Sequence, residues 1–79
     1  MKVTVKFFAS VREIVGTRSE IVEVADGMTI EGVWQTYVER FPRLGKSTLG
    51  YAVNHEYSGT DRVLKDGDEL AFIPPVSGG

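Results

Sequence analysis

The sequence holds no cysteine and a single histidine, His55. That excludes a thiol nucleophile, a persulfide on the chain itself, a disulfide framework and a Cys or His ligand set for zinc or an iron–sulfur cluster. Positive charge is not in excess: nine Lys and Arg face eleven Asp and Glu, a net charge of −2. This is the wrong sign for counterion-driven binding to nucleic acid, so no nucleic-acid partner is expected. Long apolar runs are also missing, and no basic n-region precedes an apolar h-region, so no membrane partner is expected and the expected location is cytoplasmic. At 79 residues, with 42% hydrophobic and 25% charged residues, the composition is that of one soluble domain. A chain of this size buries about 60% of the surface its unfolded form exposes, enough for one core with little to spare.

Proline is scarce, three in all, yet two of the three are adjacent in the terminal run Pro74-Pro75-Val76-Ser77-Gly78-Gly79. Pro74-Pro75 fixes backbone torsions and removes two N–H donors, which ends a sheet strand and favours an extended exit. Gly78 and Gly79 have no Cβ, so they can thread a channel too narrow for other residues. Two terminal glycines arise by chance in about one chain in 200 from a usage near 7%, so the preceding prolines carry much of the signal. From Pro75 to Gly79 the tail reaches roughly 16 to 18 Å. The expected organisation is a folded domain over 1–74 and an extended reactive tail over 75–79, with the terminal carboxylate as the reactant.

Alternation over 2–8 places Val3, Val5 and Phe7 on one face and Thr4, Lys6 and Phe8 on the other, a first strand. Val11, Ile14 and Val15 fall at helical spacing before Gly16, a short helix with a glycine C-cap. Residues 19–24 return as a second strand with Val22 and Val24 inward. After the Asp26-Gly27 turn, Thr29 caps a helix from Ile30 to about Arg40, stopped by Pro42. Its stripe Ile30, Val33, Trp34, Tyr37, Val38 and Phe41 is core, and Met28 is placed as a hydrophobic staple. Residues 51–54 read as a strand, Asn54-His55 as a turn into Glu56-Tyr57, and Asp66-Gly67 as a turn into a last strand over 69–73. Hairpin, helix, then strands give an α+β domain whose mixed sheet wraps one main helix, the β-grasp or ubiquitin-like arrangement. Leu70 and Phe72 then face the helix, while Ala71 and Ile73 look out, and Ile73 with Phe8 forms an exposed apolar patch beside the tail.

Three segments carry a resemblance: Phe7-Phe8-Ala9-Ser10-Val11-Arg12-Glu13-Ile14-Val15-Gly16, Ala52-Val53-Asn54-His55-Glu56-Tyr57, and residues 64–79 from Leu64-Lys65-Asp66-Gly67 to Ser77-Gly78-Gly79. In this order, spanning the chain, they resemble the small subunits of molybdopterin synthase, the MoaD type of the ubiquitin-like sulfur carriers. The related thiamine-pathway carriers usually lack the Phe-Ala-x-x-Arg-Glu segment, which favours the molybdopterin branch. The family often has glycine where this chain has His55.

The resemblance implies a carrier and not an enzyme on its own. An E1-like enzyme consumes ATP to adenylate Gly79, a sulfur donor protein converts the adenylate to a thiocarboxylate, and the large synthase subunit, in a heterotetramer, passes that sulfur to cyclic pyranopterin monophosphate. No permanently bound cofactor is implied, only the transient adenylate and thiocarboxylate at Gly79, with Gly78 threading the partner's channel. Phe8, Ile73, Pro74, Pro75, Val76 and Ser77 are the expected partner-binding residues. The chemistry explains the need for ATP: a C-terminal carboxyl titrates near 3.5 and is an unreactive anion at neutral pH, whereas a mixed anhydride accepts sulfur.

Other readings stand beside this one. The same carrier chemistry could serve thiamine thiazole, a thiolated tRNA base, cysteine synthesis or a protein lysine, and a plain interaction module would need no tail chemistry at all. His55 reads as a turn residue without a catalytic or metal role. Asp61, Asp66, Asp68 and Glu69 lack metal-loop spacing, and Asp66-Gly67-Asp68 reads as a solvated turn. Lys65 and Arg12 are either partner contacts or solubilising charges.

Overall fold

A computed structural model describes residues 1–46 and 49–74. The strands are β1 (Lys2–Phe7), β2 (Ser19–Glu23), β3 (Gly50–Val53), β4 (Glu56–Tyr57) and β5 (Glu69–Ile73). The helices are α1 (Ala9–Val15) and α2 (Ile30–Arg40), followed by a 3₁₀ turn at Pro42–Lys46. Both helices and all five strands stand where the periodicities place them to within one residue: β1 and β2 stop one residue early, and β3 starts and ends one residue early. Phe8 leaves the strand because it becomes the extended N-cap of α1, with its carbonyl accepting from the N–H groups of Val11 and Arg12. The helix ends as expected at Gly16, whose φ of 92° suits a residue without Cβ. Thr29 caps α2 through its hydroxyl, which accepts from the Gly32 N–H at 3.1 Å.

The sheet order is β2-β1-β5-β3-β4, and β1 and β5 form a parallel central pair while every other pairing is antiparallel. One face packs on α2. Val3, Val5 and Phe7 from β1, Leu70 and Phe72 from β5, and Val53 from β3 meet Ile30, Val33, Trp34 and Tyr37, all buried. Phe72 is the centre of this layer. Its ring lies 4.8 Å from Trp34, 5.8 Å from both Tyr37 and Tyr51 and 6.2 Å from Phe7, the first three edge-on. Edge-on aromatic contacts add about 0.5–1.5 kcal/mol each beyond burial. Leu44 in the 3₁₀ turn is fully buried too, a core residue outside any periodic stripe.

One polar pin holds α2 to the edge strand. The Tyr37 hydroxyl donates to Glu20 Oε1 at 2.7 Å, and Arg40 Nη1 reaches the same oxygen at 3.1 Å while lying over the Tyr37 and Phe41 rings. Burial, then the bond to Glu20, pushes the Tyr37 phenol well above its usual range. The Tyr37 hydrogen bond, then that of Arg40, holds Glu20 below the usual carboxylate range.

Asp68 departs from the solvated-turn expectation: it is buried. Its Oδ2 accepts from the Lys65 N–H at 2.7 Å and its Oδ1 from Asn54 Nδ2 at 3.0 Å, while Asn54 Oδ1 accepts from the Glu69 N–H at 3.0 Å. These bonds satisfy a carboxylate that burial would otherwise penalise. They also lock the β3–β4 turn onto the start of β5.

Candidate docking face and tail exit

Because β1 and β5 run parallel, with Phe7 opposite Phe72, their next residues emerge at the same end of the sheet. Phe8 and Ile73 are therefore brought together, as parity predicts, on the face that α2 leaves uncovered. They line one shallow groove with Ala52, Ala71 and Tyr57. Its floor is flat because Ala52 pairs with Ala71 across β3 and β5, and its wall is high because Tyr57, opposite Ala52 on β4, rises 78% exposed. Phe8 is 45% exposed. Two such aromatic side chains left in solvent along one groove form the kind of anchor that protein interfaces use. The groove measures about 240 Å³, below the volume of an ordinary small-molecule pocket, which favours a protein surface as its occupant.

The groove has one charged corner. Glu69 Oε1 lies 3.4 Å from Lys6 Nζ and 3.7 Å from His55 Nε2. His55 is the second residue of a turn in which Asn54 and His55 have φ of 51° and 73°, the paired left-handed conformation of a tight hairpin. Sequence spacing alone does not bring His55, Tyr57, Glu69 and Lys6 into the site. The register Ala52↔Ala71 and Ala71↔Lys6 puts them there, and strand pairing is the signal that would have found them.

β5 ends at Ile73, and Pro74 follows, partly buried, where the chain leaves the sheet. Pro75, Val76, Ser77, Gly78 and Gly79 lie outside the described residues. Arg12 lines a second shallow depression with Lys6, Phe8 and Arg18 beside the groove, whereas Lys65 borders neither. Among the described residues no group of three or more His, Cys, Asp or Glu could hold a metal ion, and no helix is long and apolar enough to cross a membrane.

Residues 5–79 match the ThiS family. The molybdopterin synthase sulfur carrier subunit of Escherichia coli (strain K12) is 43% identical over 98% of this chain and 99% of its own length. Among solved structures, the putative molybdopterin converting factor subunit 1 from Pyrococcus furiosus superposes with a TM-score of 0.87 at 29% identity, over 96% of this chain and 99% of that one. The small archaeal modifier protein 1 of Haloferax volcanii gives 0.83 at 26% identity, over 95% and 98%.

Proposed function

The chain belongs to the ThiS family of ubiquitin-like carriers, and from that membership we propose that it is the sulfur carrier subunit of a molybdopterin synthase. The observation that carries the reading is identity of 43% along essentially the whole length of a sulfur carrier subunit, with the terminal Gly78-Gly79 in this sequence. In this reading the domain does no chemistry of its own. It docks through the Phe8, Ile73 and Tyr57 face and delivers the end of the tail over 75–79.

The tail chemistry follows from what a carboxylate needs. Attack by the Gly79 carboxylate on the α-phosphorus of ATP, in an E1-like partner, forms the acyl adenylate and releases pyrophosphate. A sulfide equivalent from a donor protein then adds to the acyl carbon, and AMP leaves with the bonding pair, giving the thiocarboxylate. The large synthase subunit would supply the acid–base groups that transfer the sulfur to its pterin substrate. Its contribution is positional, since a docked carrier turns a bimolecular encounter into an effectively intramolecular one. Reaction in the cytoplasm belongs to the same proposal.

Intact-mass measurement tests it. The chain with a free C-terminus is incubated with ATP, the activating enzyme and a sulfide source, then with the large subunit and pterin precursor. Replacement of one terminal oxygen by sulfur, reversed only when subunit and precursor are both present, is expected. Deleting Gly79, or adding residues beyond it, abolishes the gain and leaves the melting temperature unchanged; sulfur transfer by the extended chain would overturn the proposal. Likeness to an archaeal modifier protein favours a second reading, conjugation to a protein lysine, in which loaded carrier is discharged onto protein with no precursor present.

A further inference from the structure

His55 occupies a position where its own backbone disfavours it. A φ of 73° brings the Cβ of an L-residue toward its carbonyl, a conformation that glycine adopts without cost and that hairpin turns of this type ordinarily fill with glycine. A side chain kept at such a position points to use at that place. The clasp of Asn54 on Asp68 and Glu69 fixes the turn, so that this left-handed conformation persists in the folded chain.

The surroundings of the imidazole say what the use is. Glu69 Oε1 is approached by Lys6 Nζ and by His55 Nε2, so one carboxylate oxygen faces two nitrogen groups at the edge of an apolar groove. An ammonium has three N–H donors and an imidazolium two. Two neighbouring carboxylates are committed or turned away: Asp68 is engaged by Asn54 and Lys65, and Glu56, next in the chain, pairs with Val53 and so lies on the opposite face from Tyr57. Both nitrogen groups thus share one carboxylate oxygen and, with Lys6 and His55 exposed, keep N–H directions open toward a docking surface. Resting on the docking-face reading above, we propose that His55 is a partner-selecting residue: with Lys6 it receives a carboxylate of the docked partner protein, beside the apolar contact made by Phe8, Ile73 and Tyr57.

An imidazole gains its proton just below neutrality, and a partner carboxylate stabilises the protonated form. Docking then takes up a proton. Affinity is fully expressed on the acid side of neutrality and falls as pH rises through the range in which the imidazole of the complex loses its proton. The charged groups that the imidazole faces are Glu69 on β5 and Lys6 on β1, with Glu56 on the other side of β4 and Asp68 bonded beneath the turn.

Calorimetric titration of the carrier with its cognate large subunit at pH 6.0–8.0, with melting curves alongside, decides the matter. His55→Gly is expected to weaken binding about 5- to 10-fold at pH 6 and to remove the pH slope, while its melting temperature rises as the turn is relaxed. His55→Gln, which keeps a neutral donor, loses the slope too. Phe8→Asp is the separate control for the face itself and keeps a residue suited to cap α1. If Phe8→Asp abolishes docking and His55→Gly leaves affinity and slope unchanged, the assignment of His55 is wrong and the face stands. If Phe8→Asp leaves affinity unchanged, the face is wrong and the assignment falls with it.

Discussion

Phe72 and Ile73 are neighbours in β5, and they should fail in different ways. Phe72 is fully buried and touches four aromatic rings, so Phe72→Ala combines a lost phenyl with an unfilled cavity, about 3–5 kcal/mol. A 79-residue domain has about 4–12 kcal/mol in all, and each kcal/mol moves the melting temperature of such a domain by about 4–8 °C. The variant should therefore melt tens of degrees lower. Ile73 lies on the uncovered face of the same strand, and Ile73→Asp changes mainly strand preference, about 1 kcal/mol. Its melting temperature should fall by only a few degrees, while its affinity for the large subunit drops at least about tenfold, because a charge enters an apolar contact. Thermal denaturation followed by far-ultraviolet circular dichroism gives the first quantity and calorimetry the second. Equal thermal losses in the two variants, or undiminished docking by Ile73→Asp, would refute the division of this strand into a folding side and a binding side.

Three more results follow from the polar pins. Tyr37→Phe should cost about 1.5–3 kcal/mol, since it removes a donor to a charged acceptor, and the loss should be measurable by urea denaturation. Because the folded-state pKa of Glu20 lies below its unfolded value, its contribution is present above the ordinary carboxylate range and is lost as pH falls through the lowered value; Glu20→Gln should flatten the acid limb of stability against pH. Asp68→Ala should cost about 2–3 kcal/mol by leaving Asn54 Nδ2 and the Lys65 N–H without their acceptor, and amide exchange at Lys65 should accelerate markedly.

What could be read without coordinates was local or periodic. The stripe of α2, the alternation of β1 and β5 and the Gly16 cap each depend on residues within a turn or two, so their inward faces followed from spacing alone. The pairing of Phe8 with Ile73 was also legible, since a β-grasp order implies that the terminal strands lie side by side. Asp68, Leu44 and His55 were not. Asp68 reads as turn chemistry until Asn54 arrives from 14 residues away. Leu44 sits in a 3₁₀ turn with no repeating pattern, and nothing nearby in sequence says that the core reaches it. His55 borders the groove only because Glu69 and Lys6, from two other strands, come up beside its turn.

The central position of β5 has a consequence for biosynthesis. The last strand to be made is the one inserted between β1 and β3, so until it emerges the two halves of the sheet share no strand and Phe72 cannot close the aromatic layer. Closure of the core and completion of the exposed groove are thus a single late event. A nascent or prematurely terminated chain that lacks β5 therefore also lacks Ala71 and Ile73, and with them part of the lining of the exposed groove.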